Sequence, residues 1–170
     1  MEQSKEAILK QVLAGYAGYF NITEQTVLDG LPLAAEAEFH SRDERYVLSK
    51  HAQLWAAENN EYAFFVLADT LTAEQVQTYY DAVLAEGLRR ISPHGEHMCS
   101  YITLAFVADT IQPEAQKRIR KLKFSKSFCF TLRGWAEFRA AGYEVSTGDF
   151  CAGGLGQEVV KSFRQILGLK

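Results

Sequence analysis

The sequence predicts an α+β fold built on a mixed sheet of about six strands with flanking helices. Three observations carry that expectation. Two near-continuous apolar runs, residues 62–68 and 99–108, read as strands buried on both faces. Between them lies a segment of helical period opening on a capping box, so strand, helix and strand form a parallel crossover. Upstream, polar turn residues separate further extended segments, which predicts a three-strand antiparallel meander.

The first segment is a helix from Ser4, its N-cap, with Ile8, Val12 and Tyr16 at four-residue spacing and Leu9, Leu13 and Phe20 widening the stripe. Gly15 and Gly18 weaken its last turns and Asn21 marks its stop. After a loop holding Gly30 and Pro32, residues 33–40 and 46–57 are expected as strands around the polar turn 41–45. Asn59-Asn60 reads as a second turn before the strand at 62–68. Thr72 and Gln75 form the capping box of the next helix, expected over 72–86, whose apolar face is Val76, Tyr79, Tyr80, Val83 and Leu84. Gly87 is placed to be its C′ residue.

The run Phe64-Phe65-Val66-Leu67-Ala68-Asp69-Thr70-Leu71 is echoed forty residues later by Leu104-Ala105-Phe106-Val107-Ala108-Asp109-Thr110-Ile111. Two copies are too few for a solenoid, so they read as successive strand-to-helix units of one sheet, the second helix starting at Pro113. A hairpin over 124–133 and 137–145, turning near Gly134-Trp135, and a closing helix over about 156–167 complete the order.

At 170 residues, 48% hydrophobic and 23% charged, the chain is expected to form one globular domain over 1–170, and it is neither disordered nor low-complexity. No signal peptide is visible and no apolar run approaches the ~20 residues of a membrane span. Cys99, Cys129 and Cys151 are odd in number and lack CxxC spacing, which argues against a disulfide framework and for a cytoplasmic setting.

The charge is polarised. Residues 1–114 hold 7 Lys and Arg against 17 Asp and Glu, whereas 115–170 hold 11 against 4. Six cations fall within 117–126, and with Arg133 no acid interrupts from Ala115 to Ala136. Phe124, Phe128, Phe130 and Trp135 lie among them, an interleaving met in single-strand binders. A solvated helix face beside inward-packed aromatics explains the same pattern.

Asp69 and Asp109 stand where two parallel strands end, a position where carboxylates can hold a metal or a ribose. Each also suits the start of a helix, whose free amides it would cap. His94, His97 and Cys99 are metal-ligand types, yet their spacing is no recognised zinc pattern, and Pro93 and Gly95 make the segment a good turn. The glycine-rich 148–156 lacks the Lys-Ser/Thr of a P-loop and reads as a surface turn.

In topology alone the chain resembles the PD-(D/E)xK nucleases, whose core runs helix, three antiparallel strands, helix, parallel strand. That resemblance implies a magnesium site with an acid on the second strand and a D/E-x-K on the third. No lysine here has Asp or Glu two residues before it, and in Asp43-Glu44-Arg45 and Glu137-Phe138-Arg139 an arginine, which keeps its proton, takes that place. The chain more closely resembles a small bacterial family of unknown function over about residues 33–145. The likeness rests on Leu54-Trp55-Ala56-Ala57-Glu58-Asn59-Asn60-Glu61-Tyr62, on His94-Gly95-Glu96-His97-Met98 through Ala108-Asp109, and on Lys126-Ser127-Phe128 with Gly134-Trp135. It implies a cytoplasmic bacterial protein and attaches no activity, cofactor or partner.

These readings favour a non-catalytic binding module without a cofactor or membrane segment. Its surface would be Lys117, Arg120, Lys121, Lys123, Lys126 and Arg133, facing an acidic partner or nucleic acid, with a second copy of the chain as a rival source of acid. The competing class is a degenerate nuclease-like or metal-dependent hydrolase, which requires Asp69, Asp109, His94, His97 and Cys99 to converge in one pocket.

Overall fold

The computed structural model describes residues 3–40, 58–92, 97–130 and 134–170. Helix α1 spans Lys5–Tyr16, capped by the Ser4 hydroxyl, which accepts from the Ala7 amide at 3.2 Å. It is followed by β1 (Asn21–Leu28) and β2 (Leu31–His40), an antiparallel pair joined by Asp29-Gly30. Both turn residues have positive φ, 49° and 78°, the backbone of a type I′ turn whose twist matches the strands. Strand β1 therefore occupies a stretch that reads in sequence as a helix stop and loop. It lies at the sheet edge and buries little, so it lacks the apolar alternation that marks a half-buried strand.

Strand β3 (Glu58–Leu71) runs antiparallel to β2 and completes the meander. It begins earlier than expected, so Asn59-Asn60 is strand and not turn; the expected strand at 46–57 lies outside the described residues. Helix α2 (Ala73–Arg90) carries the chain to β4 (His97–Ile111), which pairs with β3 in parallel from end to end. The capping box is formed, with Gln75 N 3.2 Å from the Thr72 hydroxyl and Gln75 Oε1 accepting from Thr72 N at 3.0 Å. The helix runs past Gly87 to Arg90, so Gly87 is not its terminator. Gly87 is there for contact, since an added Cβ would fall 2.5 Å from Ile102 Cδ1 on β4.

Helix α3 (Pro113–Lys121) starts with proline in its first turn, where the missing amide has no helical partner to lose. The hairpin of β5 (Phe124–Ser127) and β6 (Trp135–Glu144) is antiparallel, and β6 lies parallel to β4. A seventh strand, β7 (Asp149–Ala152), pairs antiparallel with the end of β6, so β5 and β7 share its outer edge. The sheet order is β1-β2-β3-β4-β6-β5, with β7 on β6. Helix α4 (Gln157–Leu167) closes the chain.

Both faces of the sheet are covered. Phe64, Ile102, Leu104, Phe106 and Phe138 form one core with Val76 and Val83 of α2 and Ile119 of α3. Phe65, Ala105, Val107 and Ala141 form the other with Val12 of α1 and Phe163 of α4. This double burial is why the apolar runs of β3 and β4 do not alternate with polar residues.

The glycine-rich run is a packed strand and helix entry rather than a loose turn. Cys151 is buried, an added Cβ at Gly153 would fall 2.5 Å from the Arg120 carbonyl oxygen, and one at Gly156 would strike the Ala140 carbonyl. Neither neighbour is a flexible side-chain tip. Gly154, by contrast, has open space around it. Gly156→Ala is therefore expected to lower stability in urea titrations by about 1–3 kcal/mol, the usual cost of overpacking, while Gly154→Ala leaves it within about 0.5 kcal/mol.

Candidate functional site

The clustered cations of residues 117–126 are borne on α3, on β5 and between them. Ala115 and Ile119 turn inward, and Lys117, Arg118, Arg120, Lys121, Lys123 and Lys126 are exposed. Lys117 pairs with Glu114 at 3.2 Å and Arg118 donates to Gln77 Oε1 at 2.7 Å. Arg120, Lys121, Lys123 and Lys126 form no ion pair with any described residue. Arg120 also lines a small cavity of about 180 Å³ with Glu144 and Asp149. Arg133 lies outside the described residues. Of the interleaved aromatics, Phe124 and Phe128 pack against the core, Trp135 is half-buried, and Phe130 is 96% exposed.

Several acids of the first half are engaged elsewhere. Arg90, at the end of α2, reaches Glu36 at 3.3 Å, Glu38 at 2.7 Å and Glu86 at 2.8 Å. Arg89 and Arg90 together hold the Glu86 carboxyl down at about 2, with the Arg89 hydrogen bonds the larger cause. Lys5, from the first turn of α1, places its ammonium 2.8 Å from both Asp69 and Asp109.

That last contact corrects the capping explanation. Asp69 and Asp109 lie within β3 and β4, and the N-cap positions belong to Thr72 and Gln112. The two carboxylates do converge, and the cation between them is Lys5. Its hydrogen bond holds the Asp69 carboxyl below the ordinary range, and the bonds to Asp109 and then Asp69 raise the Lys5 ammonium.

Cys99 lies on the strand expected from residue 99 onward. It is buried within β4, its thiol 2.9 Å from Asn59 Oδ1, and burial pushes that thiol up, away from the reactive thiolate. His94 and the side chain of His97 lie outside the described residues. Cys99 and Asp109 sit ten residues apart on one strand, about 33 Å at a rise of about 3.3 Å per residue. One pocket cannot take both. Among the described residues no group of three His, Cys, Asp or Glu is poised to hold a metal.

Between α1 and α4, over the amino-terminal part of β3, β4 and β6, lies a cavity of about 340 Å³ that no sequence motif marks. Glu61 of β3, Arg139 of β6 and Tyr16, Tyr19 and Phe20 near the end of α1 line it. Glu61 Oε1 accepts from the Thr103 hydroxyl at 2.9 Å, and burial pushes the Glu61 carboxyl up despite that bond. Burial likewise raises the Tyr16 phenol. The Arg139 guanidinium lies 3.5 Å from the centre of the Tyr101 ring, and its buried Nε has no hydrogen-bond partner. The Tyr101 phenol is raised to about 12, by burial first and its bond to Cys99 second. The signal available in the sequence is charge on apolar strands: Glu61 precedes Tyr62-Ala63-Phe64-Phe65, and Arg139 alternates with the buried Phe138 and Ala140.

Fold and sites together define an α+β protein with a doubly covered mixed sheet. The chain belongs to the family described as domain of unknown function DUF8052, which it matches over residues 4–165. No curated protein and no solved structure matches it. No described helix is long and apolar enough to cross a membrane.

The Lys5 contact has a pH signature. Because Asp69 is held below its ordinary 3.8, the stabilisation is present above that pH and fades as pH falls through and below it. Lys5→Met should lower Tm at neutral pH, with the deficit closing in acid. A persistent deficit at low pH would assign the effect to packing of the lysine stem. Chelator should leave the wild-type Tm unchanged at neutral pH, since Lys5 already neutralises the paired carboxylates.

Proposed function

We propose that the chain is a non-catalytic binding module whose working surface is the basic face of α3 and β5, with a polyanion, nucleic acid foremost, as partner. The observation that carries this reading is that Arg120, Lys121, Lys123 and Lys126 are exposed without an ion-pair partner among the described residues, although the chain as a whole is acidic. Apart from the local pair of Lys117 with Glu114, the Lys and Arg residues paired with first-half acids among the described residues, Lys5, Arg89 and Arg90, come from that same half. Clustered like charges contribute nothing to helix stability, so an external anion is the economical explanation. Phe130, exposed nearby, offers a face for base stacking.

A cytoplasmic setting belongs to the same reading, because Cys99, Cys129 and Cys151 are all free thiols. The hydrolase alternative is weaker. Its two carboxylates are held by Lys5, and Cys99 lies at the other end of β4.

Fluorescence anisotropy with labelled single- and double-stranded oligonucleotides at low salt tests the proposal. Lys121, Lys123 and Lys126 changed together to Ala should weaken binding and flatten the salt dependence by nearly 1 for each phosphate that is no longer neutralised. Stability should stay within about 0.5 kcal/mol for these exposed side chains. Absence of binding at low salt would remove nucleic acid as the partner, and a change of oligomeric state in the triple variant would make a second copy the partner.

A further inference from the structure

The cavity between α1 and α4 is lined by Glu61, Arg139 and the exposed Glu158 of α4, and the two opposite charges on its sheet floor do not meet. Glu61 and Arg139 both face it, from strands on either side of β4, yet they form no ion pair. Each is held back by a neighbour. Glu61 is tied through Oε1 to Thr103 on β4. Arg139 is laid flat on the Tyr101 ring, which fixes the plane of its guanidinium while supplying no acceptor to it. The Arg139 guanidinium makes no hydrogen bond to any described residue.

A half-buried guanidinium and a half-buried carboxylate, desolvated but apart, carry a cost that direct pairing would relieve. The two residues stand two strands apart in the sheet and two residues apart in register: Glu61 is opposite Tyr101, and Thr103 is opposite Arg139. The cavity they line has room for a small molecule. The cavity's volume of about 340 Å³ is at the lower end of the about 300–1,000 Å³ of small-molecule sites. Tyr16, Phe20 and Val159 supply apolar wall, and exposed Ser162 and Gln165 of α4 stand at the mouth.

We propose that this cavity is a binding site for a small zwitterion of the α-amino-acid class. The ligand's carboxylate takes the Arg139 fork, its ammonium faces Glu61, and its side chain lies against Tyr16 and Phe20. The fork suits a carboxylate because guanidinium donors lie in one plane and pair with both oxygens. The ammonium suits Glu61 because one carboxylate oxygen is engaged by Thr103 and a cation beside the other keeps the group ionised despite burial. This site lies on the α1 and α4 face and is independent of the α3 and β5 cations.

The test uses the whole chain, with thermal shift and titration calorimetry at millimolar L-phenylalanine, L-leucine and L-glutamine. For whichever amino acid binds, the amine-free acid and the carboxylate-free amine of the same skeleton are compared on the wild-type protein, which needs no variant. At least one zwitterion should raise Tm, and each single-charge analogue should bind at least about 10-fold more weakly, the loss of one charge-assisted hydrogen-bonded pair. Arg139→Gln and Glu61→Gln should each reproduce that loss. No shift with any of the three amino acids, or equal binding by the single-charge analogues, would overturn the proposal and leave the cavity to water.

Discussion

Burial of β3 and β4 on both faces is the constraint from which the rest of this molecule follows. Each strand must be apolar along nearly its whole length, and each must be covered by helices above and below. The covering sets the order of the chain: α2 and α3 close one face, α1 and α4 the other. It also decides where polar groups can live. Along the face under α1 and α4, β4 carries Thr103, Ala105, Val107 and Asp109 in succession, so polarity appears toward the two ends of the strand and apolar packing holds the middle. The Lys5 cluster occupies the carboxyl end and the Glu61–Arg139 cavity lies toward the amino end.

Charge is handled in two different ways. In the first half, single cations gather several acids each: Lys5 takes Glu6, Asp69 and Asp109, and Arg90 takes Glu36, Glu38 and Glu86. Such hubs fix the orientation of one element on another, since Lys5 ties α1 to two strands and Arg90 ties the end of α2 to β2. In the second half the cations outnumber the acids, and those of α3 and β5 stand in solvent. Lysine on the short β5, at the margin of the sheet, also discourages edge-to-edge pairing between molecules, a role compatible with binding polyanions.

Much of the fold is legible in the sequence because local chemistry and tertiary demand agree. Thr72 and Gln75 announce α2, Pro113 opens α3, and the two apolar runs declare a doubly buried pair of parallel strands. Where sequence and structure differ, the causes are physical. Strand β1 reads as polar because an edge strand has little to bury, although Asp29-Gly30 is a strong hairpin signal. Glycines at 153 and 156 resemble a loose turn in sequence, and only the proximity of the Arg120 and Ala140 carbonyls shows that they are packing residues. The functional sites are less legible still. Asp69 and Asp109 stand out as a pair, but their partner lies 104 residues before Asp109. Glu61 and Arg139 each resemble an ordinary outward charge until the register of three strands aims them into one space.

The separation between Lys5 and its partners has a consequence for how the chain comes to be folded. Synthesis delivers α1 before the surfaces it covers, on β3, β4 and α4. A 12-residue helix is marginal on its own in water, and until Asp109 has left the ribosome Lys5 has only part of its anchor. Helix α1 is thus made before the elements that complete its packing. The parallel pairings of β3 with β4 and β4 with β6 span long stretches of chain, which places folding among the slower topologies. Nascent chains stopped before residue 109 would lack β6 and α4 and leave the apolar face of α1 only partly covered, in the form that chaperones bind.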